Sequence, residues 1–102
     1  MAAVTKVALV TGASRGIGYA TAVALAAHGF ALYLAAEGTR DELMATIAAC
    51  RSAGSPDADF GIFDIGVEGQ AEAMVATALQ RFARVDVLVN NAGIRCRKPF
   101  GS

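Results

Sequence analysis

Three glycines in one short stretch constrain this chain more than any other feature. Val7-Ala8-Leu9-Val10 is an unbroken apolar run, and Thr11-Gly12-Ala13-Ser14-Arg15-Gly16-Ile17-Gly18 follows at once. A continuous apolar run, rather than an alternating one, is the pattern of a parallel strand covered by helices on both faces. Gly12 lets the chain leave that strand in a tight turn. Gly16 removes side-chain bulk where a ligand can approach the backbone, and Gly18 allows the first turn of a following helix to pack closely. The free N–H groups and the positive end of the helix dipole then converge on one point, which suits a phosphate. A bare GxxxGxG spacing is weak, but its position between a buried strand and a helix makes it specific. The stretch lacks the Gly-Lys-Ser/Thr ending of a nucleoside-triphosphate loop. The turn is therefore read as a pyrophosphate cradle for a dinucleotide; the alternative is a purely structural tight turn.

The rest of the chain repeats the same alternation. Strands are predicted at Lys6 to Thr11, Ala31 to Ala36, Phe60 to Ile65 and Asp86 to Asn90. Gly61 weakens the third, and Val87-Leu88-Val89 gives the fourth a continuous apolar centre. Ile17 to His28 is an alanine-rich helix on which Ile17, Ala20, Ala24 and Ala27 mark the packing face, and Gly29 ends it as a cap. Thr39 and Glu42 have capping-box spacing at the head of a second helix, which carries Leu43, Ile47 and Cys50 on one side and stops at Ala53-Gly54-Ser55-Pro56. A third helix presents Ala71, Met74, Val75, Ala78, Leu79 and Phe82 at three- and four-residue steps. The order βαβαβαβ with helical crossovers predicts an α/β fold. Its parallel sheet has strand order 3-2-1-4 and flanking helices, as in the first half of a Rossmann-like doubly wound sheet. Residues 1–102 are read as one partial dinucleotide-binding domain.

Composition narrows the classes further. The 102 residues are 55% hydrophobic and 18% charged, with formal net charge zero. That balance gives no electrostatic footprint for nucleic acid, and the short basic run Arg95, Arg97 and Lys98 has no aromatic interleaving. No apolar stretch is long enough to span a membrane and no signal peptide is recognised, so a cytoplasmic setting is expected. Cys50 and Cys96 are expected to be reduced thiols, and no metal site is expected. His28 has no neighbouring ligand set.

Thr11-Gly12-Ala13-Ser14-Arg15-Gly16-Ile17-Gly18, together with Asn90-Asn91-Ala92-Gly93 after the fourth strand and Asp64 after the third, closely resembles the short-chain dehydrogenase/reductase family of the classical type. The likeness spans the whole chain but only the amino-terminal part of that fold, with the carboxy-terminal half absent. It implies a cofactor-binding set of Gly12, Ser14, Arg15, Gly16, Ile17 and Gly18 on the pyrophosphate and adenosine side. It implies Asp64 and the Ile65 backbone at the adenine, and Asn90, Ala92 and Gly93 near the ribose. A carboxylate at a strand end can accept from an exocyclic amine. The competing readings are a helix-start carboxylate for Asp64 and a structural pair for Asn90 and Asn91.

The choice of cofactor rests on the end of the second strand. The acid that selects NAD in similar enzymes falls at Ala36, and the arginine that selects NADP falls at Glu37, so both patterns are broken. Arg15, with Thr39 and Arg40, can complete an anion pocket for a 2′-phosphate, and Glu37 can pair with Arg40 or reach the ribose. The balance favours NADP over NAD. The alternative is that Arg40 and Asp41 are a solvated helix start and Glu37 is a surface charge.

The resemblance implies hydride transfer between the nicotinamide cofactor and a small-molecule carbonyl or alcohol in a full-length parent. It also implies a serine and a Tyr-x-x-x-Lys pair beyond the Asn-Asn-Ala-Gly segment. Tyr19 and Tyr33 lack a lysine four residues later, so no catalytic residue is assigned. The chain is then a fragment, a truncated product, a deliberately shortened chain or an incomplete sequence. An extended-type nucleotide-sugar epimerase fits the glycine spacing poorly. A catalytically inactive cofactor-binding or interaction module is the remaining alternative. An unpaired apolar edge at the fourth strand invites self-association. Sedimentation and thermal melting of the 102-residue chain are expected to show association or non-cooperative unfolding. A monodisperse monomer with one cooperative transition overturns that expectation.

Overall fold

In the computed structural model the described residues are 5–13, 16–36, 40–64 and 67–90. They form β1 (Val7–Thr11), α1 (Gly16–Ala27), β2 (Ala31–Ala36), α2 (Arg40–Ala53), β3 (Ala58–Ile62), α3 (Gln70–Phe82) and β4 (Val87–Asn90). The strands make one sheet in the order β3-β2-β1-β4, and every pairing is parallel. This is the expected Rossmann-like arrangement, with sequence-adjacent strands joined through helices.

Every residue of β1 and β2 is buried, because these two strands sit in the middle of the sheet between two helical layers. The register puts Ala8 opposite Leu32 and Val10 opposite Leu34. These side chains form one core with Ala22 and Ala26 of α1 and Leu43 and Cys50 of α2. Their neighbours along the strands point the other way. Leu9, Tyr33 and Ala35 meet Met74 and Ala78 of α3. The continuous apolar runs of the sequence are thus two alternating sets, one for each layer.

Several expectations are corrected. On α1 the buried residues are Gly18, Ala22 and Ala26, while Ile17, Ala20, Ala24 and Ala27 are exposed. Alanine lies on all sides of this helix, so apolar periodicity carries no directional signal there. β3 starts two residues earlier than predicted and ends at Ile62; Ile65 lies outside the described residues. Gly61 stays inside β3, where a Cβ would collide with the Tyr33 hydroxyl and the Phe63 ring. It makes room for a large side chain on the neighbouring strand. The expected apolar edge at the fourth strand is present: β4 is an edge strand among the described residues, with Leu88 55% exposed. Leu79, expected on the packing face of α3, is also exposed.

The connections carry their own hydrogen bonds. Gly29 has φ +87° and its N–H donates to the Ala26 carbonyl at 2.9 Å, ending α1 as expected. The Ser55 hydroxyl reaches the carbonyls of Phe30 at 2.7 Å and Asp57 at 2.8 Å, tying the exit of α2 to the entry of β2. Thr39, the expected cap of α2, lies outside the described residues. Arg81 bridges from α3 to Asp57 and Asp59 beside and within β3.

Asp86 clamps the start of β4 to the start of β1. Its carboxylate accepts from the Val7 N–H at 2.8 Å and from the Arg84 guanidinium at 2.9 and 2.7 Å. Its own N–H donates to the Val7 carbonyl at 2.8 Å. The Arg84 guanidinium first, and then the Val7 N–H, hold the Asp86 carboxyl below its usual range. A depressed folded-state value contributes stability above the unfolded pKa, and this is lost as pH falls through the folded value. Asp86→Asn is therefore expected to flatten the loss of stability below about pH 4, measured by urea unfolding across an acid series. An unchanged acid limb would show that this carboxylate does not secure the β1–β4 seam.

Candidate functional site: a glycine-rich turn at the carboxyl end of the sheet

All strands run the same way, so their carboxyl ends share one rim, which is where open parallel sheets bind ligands. Thr11 ends β1 and Asn90 ends β4, directly paired in register. Asp64 lies just beyond β3, and Arg40 opens α2 beyond the end of β2. Gly12, Gly16, Ile17 and Gly18 form the path from β1 into α1. Ser14, Arg15, Glu37, Thr39, Ile65, Ala92 and Gly93 lie outside the described residues.

The turn is built from backbone. Gly12 has φ +62° and Gly16 has φ +65°, a region that side chains with a Cβ enter only at a cost. A Cβ on Gly16 would meet nothing within 4 Å, so the space beside it is open. A Cβ on Gly18 would strike the Gly12 carbonyl. The third glycine therefore seats the helix on the turn itself, and not only on the sheet as expected from sequence. Ala13 is fully buried. Its N–H donates to the Ala35 carbonyl at 3.3 Å, and its carbonyl accepts from the Thr46 hydroxyl at 3.1 Å.

The electrostatics distinguish this helix start from the others. α1 has no acidic residue in its first turn, whereas α2 has Asp41 and Glu42 there and α3 has Glu72. The positive dipole end of α1 thus has no acid in its own first turn. Ile17 lies in this first turn and is 66% exposed. An open approach at Gly16, a helix start with no acid of its own and an exposed apolar side chain fit a dinucleotide pyrophosphate.

Around the turn, the buried Thr11 hydroxyl is 3.1 Å from Asn90 Oδ1 and 3.3 Å from the Val89 carbonyl. It orients the Asn90 carboxamide by donating to its oxygen. The Asp64 N–H donates to Gln70 Oε1 at 3.3 Å, and the Val67 N–H donates to the Asp64 carbonyl at 3.0 Å. The Arg40 guanidinium lies 5.4 Å from the centre of the Phe60 ring, a cation–π distance. Thr46, Gln70 and the core position of Ala13 were not singled out from sequence. The available signal for Thr46 was a hydroxyl between Leu43 and Cys50 on an otherwise apolar stripe.

Among the described residues, Cys50 and Tyr33 are packed away. Burial pushes the Cys50 thiol up to about 11, so it is a free but protected thiol. Burial, and then the nearby Asp59 charge, push the Tyr33 phenol up as well. Among the described residues no three His, Cys, Asp or Glu side chains gather in a metal-binding group, and no helix is long and apolar enough to cross a membrane.

Comparison with known proteins decides the family. The family model described as short chain dehydrogenase matches residues 6–102. The chain belongs to the short-chain dehydrogenase family. Within it, the chain is similar to the short-chain reductase protein NovJ of Streptomyces niveus, with 50% identity over 89 residues, covering 87% of this chain and 33% of that protein. A variant of actinorhodin polyketide ketoreductase crystallised with NADPH is 40% identical with a TM-score of 0.77, covering 85% of this chain and 33% of the other. A xylitol dehydrogenase crystallised with NAD+ is 35% identical with a TM-score of 0.75, covering 81% of this chain and 31% of the other. The chain spans about a third of the length of the curated relatives it matches.

The two later glycines of this family turn make separable predictions. Gly16→Ala adds a methyl to open space and costs only the positive φ, about 1–2 kcal/mol. Gly18→Ala must displace backbone, and this outweighs the gain of roughly 0.5–1 kcal/mol in helix propensity. Urea unfolding is expected to rank Gly18→Ala as the more destabilised. The reverse order would mean that α1 is not seated on the Gly12 carbonyl.

Proposed function

We propose that residues 1–102 form a partial domain that binds the cofactor of an NAD(P)-dependent oxidoreductase. The observation that carries this reading is the turn: two positive-φ glycines, an open approach at Gly16, and a helix start with no acid of its own. Gly12, Ser14, Arg15, Gly16, Ile17 and Gly18 hold the pyrophosphate and adenosine side. Asp64 accepts from the adenine amine with the Ile65 backbone beside it. Asn90, Ala92 and Gly93 border the ribose. When bound, the cofactor would supply redox chemistry: its reduced nicotinamide would donate hydride to a carbonyl carbon, and its oxidised form would accept hydride from an alcohol carbon. This chain contributes binding and orientation, and none of its residues is assigned to proton exchange with the substrate.

NADP is the favoured cofactor, with Arg15, Thr39 and Arg40 around the 2′-phosphate and Glu37 at the ribose edge. The similar structures include one crystallised with NADPH and one with NAD+, so the preference for NADP rests on Arg15, Thr39 and Arg40; the likeness to a polyketide ketoreductase supports a ketone substrate. The half-exposed edge at Leu88 supports self-association of the chain. A reduced, cytoplasmic setting accords with the free thiol of Cys50.

Calorimetric titration of the folded chain is expected to show NADPH binding more tightly than NADH. Arg40→Ala is expected to weaken NADPH binding about tenfold, the scale of one charge-assisted hydrogen bond or ion pair, while leaving NADH nearly unchanged. A folded chain that binds neither cofactor overturns the assignment. Equal losses for both cofactors in Arg40→Ala would remove Arg40 from the 2′-phosphate pocket.

A further inference from the structure

We propose that Thr46 is a positioning residue that sets the glycine-rich turn for the cofactor's pyrophosphate; the proposal rests on the cofactor reading above. Thr46 lies in the second turn of α2 and is fully buried. Its hydroxyl is 3.2 Å from the Glu42 carbonyl, the local back-bond open to any helical threonine. It is also 3.1 Å from the Ala13 carbonyl, across 33 positions of sequence. One hydroxyl proton is shared between a helix carbonyl and the backbone of the turn.

The second contact matters because of where Ala13 sits. It directly follows the positive-φ Gly12, and its N–H is already held by the Ala35 carbonyl at the end of β2. The N–H and the carbonyl of one residue belong to successive planar peptide units. With the N–H held on β2 and the carbonyl held on α2, both planes that meet at Ala13 are fixed where the turn departs toward Gly16. Ala45, Ala48 and Ala49 show that small apolar residues fill other positions of this helix. For helix formation alone alanine would be the better choice. The hydroxyl earns its place at Ala13.

This brace predicts a signature unlike that of Arg40. The pyrophosphate is common to both cofactors, so the loss must be common too. Thr46→Val keeps the shape and removes the donor. Titration of the chain is expected to show NADPH and NADH each bound about five- to tenfold more weakly, the range of one lost hydrogen bond, with their affinity ratio unchanged. Thr46→Ser, which restores the hydroxyl, is expected to return both affinities to within about twofold. Urea unfolding of each variant separates these changes from global stability. Should Thr46→Val not fold, Thr46→Ala is titrated instead, and a parallel loss of both affinities is again expected. If the unaltered chain binds cofactor and the hydroxyl-free variant binds equally well, the proposal fails while the cofactor assignment stands. The same holds if Thr46→Ser is as weak as the hydroxyl-free variant. If the folded, unaltered chain binds neither cofactor, the cofactor assignment fails and this proposal falls with it.

Discussion

At the start of α1 backbone meets backbone: Gly18 lies so near the Gly12 carbonyl that there is no room for a Cβ between them. This contact sets the height and direction of α1 above the sheet. The chain takes left-handed glycine conformations at Gly12 in the turn and at Gly16, the first residue of the helix. The small residues at Ala22 and Ala26 continue the same close packing along α1, where larger side chains would lift the helix from the sheet. The geometry that makes the open glycine turn and the geometry that makes the core are therefore one arrangement.

The two helical layers use different chemistry. On one side α1 and α2 bury small and branched residues against Ala8, Val10, Leu32 and Leu34. On the other, α3 covers Leu9, Tyr33 and Ala35 with only Met74 and Ala78 fully buried. The second layer gains polar support at its margin, where Arg81 grips Asp57 and Asp59. These are exposed ion pairs and contribute modestly to stability. The first layer carries the buried Thr46 bond that reaches the turn.

The element order and strand order could be read from sequence because each crossover has room for a helix and each central strand is an unbroken apolar run. The glycine turn was legible for the same reason, since its spacing is tied to the strand before it and the helix after it. The buried face of α1 was not legible, because alanine at 20, 22, 24 and 26 satisfies either choice of face. The exposure of Leu88 accords with the apolar edge expected at the fourth strand, which has a partner on one side only among the described residues. Thr46 escaped notice because its partner is a main-chain carbonyl 33 positions away, and no local spacing encodes that. Membership of the short-chain dehydrogenase family follows from the match across residues 6–102. Cofactor choice is harder to read because Ala36 and Glu37 break the usual pattern at the end of β2.

Gly61 and Tyr33 have one more consequence. The chain contains no tryptophan and two tyrosines, and Tyr33 is seated in the room that Gly61 leaves, on the face covered by α3. Cys50 is buried on the opposite face. The molecule thus carries a native optical label on one side of its sheet and a native chemical label on the other. With Tyr19→Phe and Cys96→Ser removing the second tyrosine and thiol, near-ultraviolet signal from Tyr33 follows the α3 layer and thiol protection at Cys50 follows the α1–α2 layer.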